Sequence, residues 1–74
     1  MAEKTLNTLG LKCPMPVLKT KKELNTMKAG QILEVLADDK GALKDIPAML
    51  NKTGNELLET KEETNKITFI IKKS

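Results

Sequence analysis

Pro14 and Pro16 stand one residue apart, just after Cys13 and ahead of a run with helical periodicity. Two prolines so close would break a helix interior, because each lacks the backbone N–H that the ladder needs. They suit a first turn, where the amides have no intrahelical partner in any case. Val17, Thr20, Leu24 and Met27 follow at three- and four-residue spacing and form one inward stripe. A helix is therefore predicted from this entrance to about Lys28, ended by Ala29-Gly30, since glycine favours the left-handed cap. Cys13 then falls at the N-cap, with Pro14, Met15 and Pro16 at the first three helical positions.

The rest of the chain alternates strand and helix patterns. Thr5 to about Thr8 reads as a first strand, and Gly10-Leu11 as the turn after it. Ile32 to Ala37 is a mostly apolar run of strand length and reads as a central strand. Asp38-Asp39-Lys40-Gly41 is a loop. In the next segment Ala42, Leu43, Ile46, Met49, Leu50 and Thr53 share one helical face, with Gly54 as the cap. Pro47 lies inside that pattern. Either the helix kinks there, or its main part starts late, with Asp45 as N-cap and Pro47 in the first turn; the late start is preferred. Glu56 to Lys61 and Ile67 to Lys73 read as a hairpin joined by the polar Glu62–Asn65 loop. The predicted order is β-α-β-α-β-β: an α/β (α+β) two-layer sandwich, a four-stranded mixed sheet with both helices on one face, in a single domain of residues 1–74.

Composition removes several classes of function. The chain has 74 residues, one cysteine and no histidine. An intramolecular disulfide, a histidine triad and a histidine metal site are excluded. Asp38-Asp39 alone offers too few oxygens for magnesium or calcium, so no metal or cofactor is expected and loop or capping roles are. Phe69 is the only aromatic residue, which leaves no stacking platform for single-stranded nucleic acid. All thirteen basic residues are lysine, and the net charge is +3. Bidentate recognition of phosphate favours arginine, so direct nucleic-acid binding is not expected, whereas an acidic protein partner or simple solubility fits. No apolar run approaches the ~20 residues of a membrane span. The residues after Met1 do not form a signal peptide, and a lone thiol fits a reducing compartment, so a cytoplasmic location is expected.

Cys13 carries the chemistry available. As N-cap its sulfur would accept the Met15 amide, because Pro16 has none, and would face the positive end of the helix dipole. Both effects favour a thiolate or a persulfide anion, and Lys12 adds positive potential. A buried, packed cysteine fits the same position, and the residues alone leave the two readings open. Met15, Lys19 and Lys22 share the outer face of the first helix. They form either a docking surface beside the sulfur or an ordinary solvated face.

The stretch from Thr5 to Pro16, Thr-Leu-Asn-Thr-Leu-Gly-Leu-Lys-Cys-Pro-Met-Pro, resembles the signature of the TusA (SirA-like) sulfur-carrier family, whose hallmark is Cys-Pro-x-Pro at the start of the first helix. The resemblance continues through Gly30, Ala37-Asp38-Asp39, Asp45-Ile46-Pro47 and Lys52-Thr53-Gly54-Asn55-Glu56-Leu57. It implies the same β-α-β-α-β-β sandwich. It implies that Cys13 takes sulfane sulfur from a cysteine desulfurase or rhodanese-type protein and passes it to an acceptor protein. The implied role is a sulfur-relay carrier rather than a stand-alone enzyme. The destinations implied are tRNA thiolation, molybdenum cofactor synthesis or dissimilatory sulfur oxidation, and some members are tied to selenium metabolism or sulfur-compound transport. Gly10, Lys12, Pro14, Met15 and Pro16 would support the cysteine. One departure is Asn7, where many members carry an acidic residue. Two other readings remain: a small RNA- or protein-binding module, and a thiol redox sensor acting through an intermolecular disulfide or sulfenic acid.

Overall fold

The computed structural model describes residues 3–12 and 14–74. The chain runs β1 (Lys4–Asn7), α1 (Met15–Asn25), β2 (Ile32–Ala37), α2 (Ala42–Thr53), β3 (Glu56–Glu62) and β4 (Ile67–Lys72). The sheet order is β1-β2-β4-β3. β1 and β2 are parallel, and the other pairs are antiparallel, so the sheet is mixed as expected. β2 is central. Its alternation sends Leu33, Val35 and Ala37 to one face, where all three are fully shielded from solvent. Ile67, Phe69 and Ile71 of β4 join them there. Leu24 and Met27 from the α1 side and Ala42, Ile46, Met49 and Leu50 from α2 close the same core. Two helices therefore cover one sheet face, as the two amphipathic patterns require.

Three helix boundaries differ from the sequence reading, while β1, β3 and β4 differ by a single residue at one or both ends. α1 stops at Asn25, not Lys28. The amides of Thr26 and Met27 donate to the carbonyls three residues back, Glu23 and Leu24, and the Thr26 hydroxyl also donates to Glu23. This tightened turn still buries Met27, so the stripe outlasts the helix. α1 also starts one residue late. Pro14 is the N-cap, which places Met15 and Pro16 at the first two helical positions. Buried Pro16 accepts the Thr20 hydroxyl on its carbonyl at 2.7 Å.

The third difference is α2, which begins at Ala42 and keeps Pro47 in its interior. The late start from Asp45 is overturned by the amides of residues 42 to 45. They already donate to Asp39, Lys40 and Gly41 carbonyls at 3.0–3.1 Å. Ala42 and Ile46 are 1% and 0% exposed, and burying them outweighs the bond Pro47 cannot make to Leu43. Pro47→Ala should therefore stabilise the fold. The interior-proline penalty of roughly 3 kcal/mol, less the unfolded-state entropy of about 0.4–1 kcal/mol that proline removes, leaves a gain of about 2 kcal/mol. That raises the thermal midpoint by about 8–16 °C. An unchanged or lower midpoint would mean that ring packing outweighs the missing bond.

β3 holds a bulge between Leu57 and Glu59. Leu57 sits opposite Ile71, on the core side. The extra residue turns Glu59 to the open face opposite Ile70, where plain alternation would have aimed it at the helices. Gly54, at φ +83°, ends α2 in the left-handed conformation, as expected.

Candidate functional site

Parallel pairing brings the carboxyl ends of β1 and β2 to the same edge of the sheet. The segment that carries Cys13 leaves from one of them, and Asp38 from the other. Thr8, fully buried, fastens the exit of β1: its amide donates to the Leu36 carbonyl at 2.8 Å and its hydroxyl to the same oxygen. Asn7 accepts the Leu9 amide on Oδ1 at 2.9 Å, which starts the turn. A carboxylate at position 7 would accept the same bond, so the departure at Asn7 preserves the local geometry. Gly10 takes φ +84°, a conformation that a side chain would strain. Its amide donates to Asp38 Oδ2 at 2.8 Å. The Leu11 amide returns to Thr8 at 3.1 Å.

Cys13 lies outside the described residues, and so does its expected side-chain cap. Its neighbours Lys12 and Pro14 are both exposed. The Met15 amide, the donor expected to serve the Cys13 sulfur, donates to the Lys12 carbonyl at 2.8 Å. The N-cap is Pro14, not Cys13. The helix frame has moved by one residue because a turn from Lys12 to Met15 precedes the first α-helical bond, from Leu18 to Pro14 at 3.0 Å. The expected Met15-to-sulfur bond rests on Cys13 and lies outside the described residues. The head of α1 still lies directly after Cys13.

Met15, Lys19 and Lys22 are exposed on α1, as expected. Lys19 and Lys22 line a shallow cleft with Leu6, Glu23 and Thr26, beside the ion pair of Lys4 with Glu23 at 3.0 Å. A second groove, between α1 and α2, was not foreseen. Pro14, Val17, Leu18, Lys21, Met49 and Lys52 are among its walls, and it encloses about 360 Å³. Leu18 is 53% exposed, Met15 41% and Leu9 40%. These large apolar side chains therefore flank Cys13 in the chain without being buried. The signal available in the sequence was Leu18 itself, an apolar residue off the inward stripe. Among the described residues, no group of three His, Cys, Asp or Glu side chains stands together as a metal site would need. No helix among them is long and apolar enough to cross a membrane.

The family model described as sulfurtransferase TusA matches residues 4–73. The chain belongs to the TusA family. It is 51% identical over 72 residues to a sulfur carrier protein TusA of Allochromatium vinosum, covering 97% of this chain and 95% of that one. It is 46% identical to the putative sulfur carrier protein YrkI of Bacillus subtilis, over 97% and 96% of the two chains. The crystal structure of a SirA-like protein from Desulfitobacterium hafniense superposes with a TM-score of 0.75 at 30% identity, over 93% of this chain and 95% of that one. The TusA-family pattern and the β-α-β-α-β-β fold thus agree along nearly the whole chain.

Proposed function

We propose that this chain is a sulfur carrier that holds sulfane sulfur as a persulfide on Cys13. The observation that carries the reading is the placement of Lys12 and Pro14. Both neighbours of Cys13 are exposed at the head of α1, in a member of the TusA family. In loading, the Cys13 thiolate attacks the terminal sulfur of a donor persulfide. The donor S–S bond breaks, a new S–S bond forms on Cys13, and the donor leaves as a thiolate, with no net oxidation. Unloading is the same exchange with Cys13 as the leaving thiolate. The positive end of the α1 dipole and Lys12 favour the anionic forms at both stages. No second cysteine exists in the chain to resolve the persulfide into an internal disulfide.

A cysteine desulfurase or a rhodanese-type protein supplies the sulfur, and the thiol of a later relay protein receives it. Exposed Leu9, Met15 and Leu18 form the apolar part of the docking surface. Lys12, Lys19, Lys21 and Lys22 surround it and suit a partner bearing carboxylates. The relay operates in the cytoplasm, and feeds tRNA thiolation, cofactor synthesis or sulfur oxidation. Cyanolysis tests the chemistry. After incubation with a desulfurase and cysteine and removal of both, cyanide should release one thiocyanate per chain and return the free thiol. Release of none, or of the same amount from Cys13→Ser, would contradict a persulfide on Cys13.

A further inference from the structure

We infer that Asp38 is a positioning residue that holds the sulfur-bearing segment in register for transfer between proteins. The inference rests on the persulfide reading and extends it to a second loop.

Beyond Thr8, the described bonds of the segment before α1 are local, with one exception. Leu11 bonds back to Thr8 and Met15 to Lys12, each three residues away. Only the Gly10 amide reaches another element among the described residues, and its acceptor is Asp38 Oδ2, 28 residues on. Asp38 is itself placed by β2, whose carboxyl end stands beside that of β1. A carboxylate bond to a backbone N–H is charge-assisted and directional. It pins the chain three residues before Cys13. Gly10, Lys12, Asp38, Asp39 and Lys40 line one shallow cleft at this point, so the clasp shares a surface with Lys12, the residue before Cys13 in the chain.

Transfer between two proteins needs a near in-line approach of sulfur to sulfur, fixed by docking. A misplacement of about 1 Å is enough to slow such a reaction substantially. A small alkylating reagent needs no docking and meets the thiol in whatever position it takes. Asp38→Ala should therefore lower the rate of persulfide loading from a desulfurase about tenfold, with iodoacetamide alkylation of Cys13 changing by less than about twofold. Asp38→Asn keeps an oxygen acceptor for Gly10 and should load within about twofold of the wild type. Hydrogen exchange at the Gly10 amide should be slow in the wild type and Asp38→Asn, and fast in Asp38→Ala.

Loading by Asp38→Ala at the wild-type rate would overturn the inference. So would alkylation falling in step with loading, which would make Asp38 a determinant of thiol reactivity. Asp38→Asn as slow as Asp38→Ala would assign the effect to charge and overturn it too. A wild type that takes no sulfur would sink the persulfide reading. Gly10 exchange would still judge the clasp, and unchanged protection in Asp38→Ala would overturn it.

Discussion

Phe69→Ala should strip the fold of a large part of its stability. Phe69 is fully buried on β4, opposite Val35 of β2 and Thr60 of β3, and it is the only aromatic ring in the chain. Truncating a buried phenylalanine costs about 3–5 kcal/mol. A domain of 74 residues has a total stability of only about 4–11 kcal/mol at typical values per residue. The loss is therefore a large share of the whole, and the thermal midpoint should drop by on the order of 15–30 °C. Leu58→Ala is the matching control. Leu58 is 46% exposed beside the β3 bulge, and its truncation should change stability by no more than about 0.5 kcal/mol. Thermal unfolding of the two variants side by side checks both statements. A shift under about 5 °C for Phe69→Ala would mean that the ring is not the centre of the core.

Elements with a clean period were legible in the sequence. β2 has the predicted bounds, because Ile32 to Ala37 is apolar enough to be central and short enough to be a strand. The inward face of α2 was legible through Ala42, Ile46, Met49 and Leu50. Its start was not, because local proline chemistry argued for Asp45 while tertiary burial of Ala42 and Ile46 decided otherwise. The β3 bulge was hidden in Glu-Leu-Leu-Glu, where two adjacent leucines break the alternation and leave open which one faces the core. The end of α1 was overread because Met27 stays buried after the helix has turned into a tighter loop.

At the candidate site the helix entrance was legible in the sequence and its hydrogen bonds were not. Cys13-Pro14-Met15-Pro16 marked a helix entrance, and the structure starts α1 there, one residue further on. That single residue matters, because it gives the Met15 amide to Lys12. Asp38 was read as a loop or capping residue. Its bond to Gly10 follows from the parallel register of β1 and β2, which a single sequence does not reveal.

The second large effect is the loss of all sulfur uptake in Cys13→Ser. Serine matches cysteine in shape, and its hydroxyl is neither a thiolate nor able to form a persulfide, so the fold should persist while the cargo is lost. The direct measurement is the intact mass of the wild type and Cys13→Ser, each incubated with a cysteine desulfurase and cysteine and analysed without reductant. The expected result is a gain of one sulfur atom on the wild type, reversed by reductant, with Cys13→Ser unchanged and still folded. Sulfur on Cys13→Ser, or none on the wild type with desulfurase and then with a rhodanese and thiosulfate, would contradict a persulfide carried on Cys13.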